Sequence, residues 1–310
     1  MKKMILSAVT VALSSVAAHA ATNTTVSNPE IYGNLGVSID HFHQSGVEDQ
    51  KDALNYTRNT KLGVRGDANV NGIHTNYAIE GDFKNPNETF GLSKAEVNLG
   101  LGMANVTVGK FDNRFEQVAG DMDAFSDTFS GLDSRFDHGA GSATGVAVSV
   151  SPIQDLNVGV QVSGQEDSAK EFGKDVAVFS HYSLDNLDLS AGYQVKAKSD
   201  SRPVKSQAFS LAAGYTIDNV YVDGYFTQDK AKGDKALNRT GLAAAYNIDE
   251  NLVVKGGYDF QKQDEMKMNT FRVAAQYNIN DVELNLGYAN SKVKGEKSDN
   301  LMTAGVVYKF

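Results

Sequence analysis

Sixteen segments of this chain alternate apolar and polar residues with a period of two. Between Phe271 and Ile279, for example, every second residue is apolar, and Arg272, Gln276 and Asn278 stand among the residues between them. A period of two is typical of a β-strand with one apolar face. The segments lie at 30–42, 58–69, 73–83, 91–101, 104–111, 141–151, 156–164, 175–184, 187–196, 207–217, 220–228, 239–248, 252–261, 270–279, 282–290 and 300–310. The chain is therefore predicted to be all-β.

A tyrosine recurs at nearly constant spacing in the second half of the chain. Tyr182, Tyr215, Tyr246, Tyr277 and Tyr308 are separated by 33, 31, 31 and 31 residues. Each of the first four is followed by a short polar turn and another strand, so one repeat corresponds to one hairpin. The high strand propensity of tyrosine would explain any single one of them, but it does not explain their equal spacing.

Two architectures fit strands of this kind. In a soluble sandwich the apolar face forms the core, whereas in a transmembrane barrel it meets lipid and the polar face lines a lumen. Three features favour the barrel: the even number of strands, the alternation of short and longer connections, and the tyrosines placed just before the short turns. The sequence therefore predicts a transmembrane antiparallel β-barrel, with sixteen strands.

The beginning of the chain has the pattern of a secretory signal peptide. Lys2 and Lys3 precede an apolar run that ends at the small-residue site Ala18-His19-Ala20. We expect residues 1–20 to be a cleaved signal peptide and residues 21–310 to form the exported barrel in the outer membrane.

The end of the chain keeps the strand pattern to its last residue, Phe310. Unpaired backbone groups are costly in hydrocarbon, so the last strand is expected to pair with the first and close the barrel. Tyr308 and Phe310 would then lie together in an aromatic ring at the membrane boundary.

Composition excludes several other classes of function. The chain has no cysteine, so it has no disulfide framework, thiol catalyst or cysteine metal site. A net charge of −9 argues against nucleic-acid binding. His41 and His43 share one strand face, but no third ligand accompanies them in the sequence. We therefore predict no catalytic residue, no cofactor and no metal.

Three stretches resemble the general diffusion porins of Gram-negative outer membranes: GVVYKF at the end, IYGNLGVSID in the first strand and LGVRGDANVNGIHTNYAIEGDF after it. The resemblance implies a homotrimer embedded in outer-membrane lipid and lipopolysaccharide. It also implies a water-filled channel for passive diffusion of ions and small hydrophilic solutes, and not an enzyme. The terminal Phe310, with Tyr308, is similar to the family's signal for the outer-membrane assembly machinery.

One connection, at about residues 111–140, is far longer than the others. Loops longer than about 12–15 residues are usually functional or disordered. This one holds Phe111, Phe115, Phe125, Phe129 and Phe136, too many aromatic residues for a solvated tail. The resemblance implies a loop that folds into the lumen and narrows it. The stretch RFEQVAGD resembles a loose form of the family's loop, although it lacks the proline and paired glycines often found there.

The charges of this loop suggest what the constriction favours. The candidate acids are Glu116, Asp121, Asp123, Asp127 and Asp133. The candidate bases on the barrel wall are Lys61, Arg65 and Lys94. The resemblance implies that loop acids face wall bases across a narrow pore. Because the loop is net acidic and low-dielectric walls focus its field, the sequence predicts a modest cation preference.

Two alternatives to a porin remain open from the sequence. One is an outer-membrane barrel with a structural or adhesive role and a plugged lumen. The other is a hydrolase whose active site lies at the barrel rim. Single-channel conductance in planar bilayers separates both from a porin.

Overall fold

The computed structural model describes residues 24–43, 53–55, 60–82, 90–125, 141–164, 172–198 and 202–310. Its first nine strands are β1 (Thr24–Val26), β2 (Glu30–His43), β3 (Ala53–Asn55), β4 (Lys61–Val70), β5 (Ile73–Asp82), β6 (Gly91–Leu101), β7 (Ala104–Asp112), β8 (Ser142–Ile153) and β9 (Leu156–Gly164). The other nine are β10 (Asp175–Leu184), β11 (Leu187–Lys196), β12 (Ser206–Ile217), β13 (Val220–Ala231), β14 (Leu237–Asn247), β15 (Leu252–Gln263), β16 (Met266–Ile279), β17 (Val282–Val293) and β18 (Ser298–Lys309). Between β7 and β8 lies a short helix, α1 (Arg114–Gly120).

The sixteen long strands form one closed antiparallel barrel, as predicted. Each strand from β4 onwards pairs with the next, and β18 pairs with β2. The closing ladder reaches the last residue, because Phe310 and Gly33 exchange two backbone hydrogen bonds of 2.9 and 3.0 Å. The terminal strand is therefore fully paired, which is what a barrel in hydrocarbon requires.

The two shortest strands extend this pattern at its beginning. β1 pairs with β4, and β3 pairs with β2. Pro29 separates β1 from β2, since proline has no N–H to donate to a ladder. Ser27 nevertheless keeps the chain beside β4, where its N–H donates to the carbonyl of Asp67 at 2.8 Å.

The faces of the strands have opposite polarity, and the apolar face points outwards. Leu242 is 68% exposed and Leu286 is 62% exposed, whereas Ser210, Gln276 and Asn285 are buried. This is the inverse of a soluble core, in which the apolar residues would be buried and the polar ones exposed. The arrangement confirms the predicted transmembrane barrel with a polar interior.

The predicted short turns are present at one end of the barrel. Asn71, Asp155, Asp185, Asp218 and Asn280 all have positive φ values, between 50 and 62°. Asparagine and aspartate adopt this left-handed conformation more readily than other residues that carry a side chain. At Asn71-Gly72 both residues have positive φ, as a type I′ hairpin requires.

Several strands are longer at the opposite end than the alternation predicted. β16 begins at Met266 rather than 270, β13 continues to Ala231 rather than 228, and β17 continues to Val293 rather than 290. In these extensions backbone pairing continues, but lysine and amide residues replace the apolar outward row. The apolar outward row covers only the part of a strand that faces lipid. Strands predicted from this row are therefore too short at the opposite end. No helix in the described part of the chain has the length and apolar character needed to cross a bilayer.

Candidate functional site in the barrel lumen

The described part of the long connection, residues 113–125, lies against the inner face of the barrel. Its helix α1 contacts β10, β11 and β12. Asn113 caps the helix by accepting the N–H of Phe115 at 3.1 Å. Phe115 and Val118 pack over Gly192 of β11, where an added Cβ would lie 2.9 Å from Val118 and 3.1 Å from Phe115. The absence of a side chain at Gly192 therefore lets the helix pack closely against β11.

Gln161, a buried residue of β9, holds the start of the helix. Its side-chain oxygen accepts the N–H of Arg114 at 2.8 Å, and its amide nitrogen donates to the side chain of Asn113 at 3.3 Å. The first turn of a helix leaves N–H groups without intrahelical partners. Gln161 supplies one such partner from the barrel wall.

A buried charged cluster holds the segment further along, and we call it the anchor. It consists of Asp123 and Phe125 from the segment and Tyr225, Asp259 and Arg272 from the wall. The Nε of Arg272 lies 2.7 Å from a carboxylate oxygen of Asp259, and its Nη1 lies 3.5 Å from one of Asp123. Tyr225 donates its hydroxyl to Asp259 at 2.8 Å. The ring centre of Phe125 lies 4.4 Å from the guanidinium carbon of Arg272, a cation–π contact.

Two hydrogen bonds attach the residues between the helix and the anchor to β13. The carboxylate of Asp223 accepts the N–H of Ala124 at 2.9 Å, and the hydroxyl of Tyr221 donates to the carbonyl of Met122 at 2.8 Å. Residues 113–125 are thus attached to the same arc of wall, β9 to β16, along their whole length.

The structure separates the predicted acids into different environments. Glu116 accepts the N–H of Gly141 at 2.5 Å and lies 3.9 Å from the Nζ of Lys196. Asp123 belongs to the anchor and is paired with Arg272. Asp127 and Asp133 lie outside the described residues.

Asp121 differs from these acids because it faces the lumen without a basic partner. In the part of the chain that the structure describes, no lysine or arginine nitrogen lies within 4.0 Å of its carboxylate. It borders a hollow of about 390 Å³ whose lining includes Asn76, Asn98 and Ser190. Arg114 lines the same hollow, and its positive charge opposes the rise in the pKa of Asp121. The side chain is exposed to the lumen, but the surrounding wall desolvates it and raises the pKa of Asp121.

The predicted bases pair with acids of the wall. Lys61 lies 3.4 Å from Glu80. Arg65 donates two hydrogen bonds of 2.9 and 3.0 Å to Glu30. These two bases do not contact the described acids of the segment.

Lys94 is the predicted base that reaches the long connection. Its Nζ donates to Asp112, at the end of β7, over 2.7 Å. The structure therefore brings Lys94 to the root of the connection and not to its acidic middle.

Tyr308 and Phe310, the predicted assembly residues, lie on the outer surface. Their rings stack with centres 6.0 Å apart and planes inclined by 26°. The ring of Phe310 covers Gly33, where an added Cβ would lie 2.8 Å from it. The two rings therefore form one aromatic pair at the end of β18, and Phe310 reaches across the closing seam to Gly33 of β2.

The wall residues of the anchor were not predicted as site residues. Arg272 and Asp259 stand in the polar rows of two strands that form one hairpin, which was the available signal. Their link to Asp123 depends on the path of an irregular segment, so no periodicity could indicate it.

Comparison with known proteins shows which family has this barrel architecture. The family model for Gram-negative porins matches residues 7–310. The chain belongs to the Gram-negative porin family. Its lumen is therefore that of an outer-membrane channel, which is the function that both the family and the fold support.

Solved porin structures share the fold at low sequence identity. An anion-selective porin from Comamonas acidovorans superposes with a TM-score of 0.78 at 17% identity, covering 93% of this chain and 100% of that one. The trimer form of OmpT from Vibrio cholerae gives 0.71 at 14% identity, with 93% and 99% covered. Salmonella typhi OmpF in complex with daunomycin gives 0.72 at 14% identity, with 91% and 97% covered. No curated protein sequence matches the chain.

Proposed function

We propose that this porin conducts ions and small hydrophilic solutes by passive diffusion, with a modest preference for cations that Asp121 sets. The observation that carries the proposal is the environment of Asp121, an acid that faces a polar hollow of the lumen and has no ion-pair partner in the described part of the chain. The transport involves no chemical turnover.

The electrostatic argument rests on which charges are compensated. Asp123 is paired with Arg272 and Glu116 lies near Lys196, so both contribute a weakened field to the lumen. Among the described residues no lysine or arginine nitrogen lies within 4.0 Å of the Asp121 carboxylate, and Arg114 of the same hollow compensates its charge only from a greater distance. Low-dielectric walls focus the field of such a charge inside a narrow aqueous passage. The preference should be strongest at low salt, since the Debye length is about 10 Å at 0.1 M and about 3 Å at 1 M.

We assign the constriction to the connection at about residues 111–140. The contacts of residues 113–125 with the inner wall support this assignment, because a segment attached there occupies part of the lumen. Asp127 and Asp133 belong to the same proposed constriction. Lys61, Arg65 and Lys94 would oppose the acids, each weakened by its own carboxylate partner.

Reversal potentials in planar bilayers test the proposal. In a gradient around 0.1 M salt, Asp121→Asn should lower the cation-to-anion permeability ratio and leave barrel yield unchanged. Asp264→Asn is the matched control, because Asp264 is an exposed acid of the short turn between β15 and β16. Equal ratios for Asp121→Asn and the wild type at low salt would show that this carboxylate does not determine selectivity. Anion preference in the wild type would overturn the proposal itself.

We also infer a homotrimer, exported with cleavage after Ala20 and inserted by the outer-membrane assembly machinery among lipid and lipopolysaccharide. The solved Vibrio cholerae structure is described as a trimer, which supports this inference by analogy of fold. The outward row of β4 contributes the exposed Leu62 to the inferred contact surface, whereas Gly66 and Ala68 of the same row are buried. Crosslinking of the purified protein should give a trimer, and a monomer at all protein concentrations would contradict it.

A further inference from the structure

A second hollow of the lumen, which we call the vestibule hollow, lies on the face of helix α1 opposite Asp121. Its volume is about 430 Å³, within the range of about 300–1,000 Å³ typical of sites for small ligands. The wall strands β11 to β14 form most of its lining, and Phe115, Glu116 and Ala119 contribute from the helix. The hollow that Asp121 borders is lined by Arg114 and other residues of the opposite helix face. The helix therefore separates the two hollows.

Two wall hydroxyls in the lining of this hollow lack a hydrogen-bond partner. Ser210 of β12 and Thr227 of β13 are directly opposite each other in the strand register, and they are 1% and 7% exposed. Within the part of the chain that the structure describes, neither hydroxyl oxygen forms a hydrogen bond. Buried polar groups are normally hydrogen-bonded, because an unsatisfied one is costly in free energy. The two hydroxyls are therefore available to a bound molecule.

A second pair of the same residue types shows that opposed hydroxyls can satisfy each other on this wall. Thr270 of β16 and Ser291 of β17 are also directly opposite each other and buried on the inner face. Their hydroxyl oxygens lie 2.8 Å apart and share a hydrogen bond. The unpaired state of Ser210 and Thr227 is therefore not a general consequence of placing serine opposite threonine in this barrel. It is a feature of the vestibule hollow.

The charged side chains of the vestibule hollow largely compensate one another. The Nζ of Lys196 lies 3.9 Å from Glu116, and Arg239 is paired with Asp229. The other charged residues of the described lining are Asp234, Lys230 and Lys235, so four bases stand with three acids. A guanidinium has five N–H donors and a carboxylate has about four acceptor sites, so one ion pair uses only part of each group. The hollow therefore offers both donors and acceptors with little net charge.

We infer that the vestibule hollow binds a neutral sugar of one or two rings on its way through the channel. The inference rests on the proposed function and names a class of solute for it. A hydroxyl group both donates and accepts hydrogen bonds, so a solute with many hydroxyls matches a lining that contains both kinds of group. An ion gains less in this hollow, because the lining charges are already paired. Hydroxyls of the sugar would also give Ser210 and Thr227 the partners that the wall does not supply.

Titration of the channel current with sugars in planar bilayers tests this inference. The probes are glucose, N-acetylglucosamine, maltose, lactose and sucrose, added at about 1 M salt so that the fields of the pore charges are screened. We expect at least one of these sugars to reduce the conductance along a saturable curve, which gives a half-saturation concentration. Tetraethylene glycol has ether oxygens where a sugar has hydroxyls, and it should reduce the conductance without saturation. A response to every sugar that does not saturate, or equal saturation by tetraethylene glycol, would overturn the inference.

A double variant removes both unpaired hydroxyls. Ser210→Ala with Thr227→Val should raise the half-saturation concentration by about fivefold or more, since one hydrogen bond typically contributes a factor of about two to ten. Thr270→Val with Ser291→Ala is the matched control, because it makes the same two changes at hydroxyls that are bonded to each other outside the hollow. The control should bind sugar as the wild type does. An unchanged half-saturation concentration in the first variant, or equal increases in both, would refute the assignment to this hollow.

Saturation-transfer difference NMR on the detergent-solubilised protein measures sugar binding without a current. It therefore tests the inference even if the protein does not conduct, and no transfer to any of the five sugars would overturn it. Saturable binding of glycylglycine in the absence of sugar binding would identify the ligand as a zwitterion and would overturn it as well.

The selectivity proposal and the sugar inference can fail separately. Asp121→Asn should leave the sugar titration unchanged, because Asp121 borders the hollow on the other side of the helix. The Ser210 and Thr227 variant should keep the reversal potential of the wild type, because it changes no charge. A sugar titration altered by Asp121→Asn as strongly as by that variant would show that the vestibule hollow is not a separate site.

Discussion

Removing the positive charge of the anchor should release the segment inside the lumen without unfolding the barrel. Arg272 is 1% exposed and is the one basic group that both Asp123 and Asp259 contact in the described residues. Arg272→Met keeps much of the side-chain volume but leaves two buried carboxylates facing each other. The sixteen strand pairings do not involve the Arg272 side chain, so the closed barrel should persist.

The magnitude follows from the burial of the pair. Removing one partner of a buried ion pair typically costs about 3–5 kcal/mol. The contact of the guanidinium with Phe125 is lost at the same time, and such a contact is worth up to about 2 kcal/mol when desolvated. Even the lower cost of about 3 kcal/mol raises the population of the released segment roughly a hundredfold, because about 1.4 kcal/mol corresponds to a factor of ten.

Single-channel recording in planar bilayers is the assay. Arg272→Met should show frequent transitions between current levels, whereas the wild type should hold a steady open level. Arg239→Met is the matched control, because Arg239 is also paired with a wall acid, Asp229, but makes no described contact with the segment. It should record like the wild type.

A compensating variant sharpens the test. Adding Asp123→Asn and Asp259→Asn to Arg272→Met removes all three charges, so the electrostatic part of the cost disappears and the steady level should return in large part. Recordings of Arg272→Met that cannot be distinguished from the wild type would refute the reasoning, since the anchor would then not hold the segment.

Three other predictions concern charge and assembly. Desolvation by the surrounding wall raises the pKa of Asp121, so this carboxylate takes up its proton at a higher pH than an ordinary aspartate. The difference in permeability ratio between wild type and Asp121→Asn should therefore begin to shrink, as pH falls, above the usual aspartate pKa of about 3.9. Lys61→Gln with Arg65→Gln should raise the cation-to-anion ratio, because Glu80 and Glu30 lose their partners; a lower ratio in reversal-potential measurements would contradict this. Phe310→Ala should reduce the yield of heat-modifiable trimer while export across the inner membrane continues, and normal yield would show that the ring stacked on Tyr308 is dispensable.

The sequence by itself determined the architecture of this porin. A period of two shows which face of a strand meets lipid. Every strand of the barrel must have one such apolar face, so the strands could be counted in the sequence. The turn positions and the closure at Phe310 could be predicted for the same reason. The prediction weakened at the outer ends of β13, β16 and β17. There the outward residues leave the hydrocarbon and lose their apolar pattern, although backbone pairing continues.

Only the tertiary structure decided which charges meet. Lys61 and Arg65 are paired with Glu80 and Glu30 of the wall, and nothing in the sequence indicated these pairs. Asp123, predicted as an acid of the constriction, is paired with a residue far away in the chain, Arg272. Cross-strand partners depend on register, and the path of residues 113–125 depends on where the wall leaves room, as at Gly192. Neither quantity is periodic, so the alternation that predicts the barrel carries no information about the arrangement inside it.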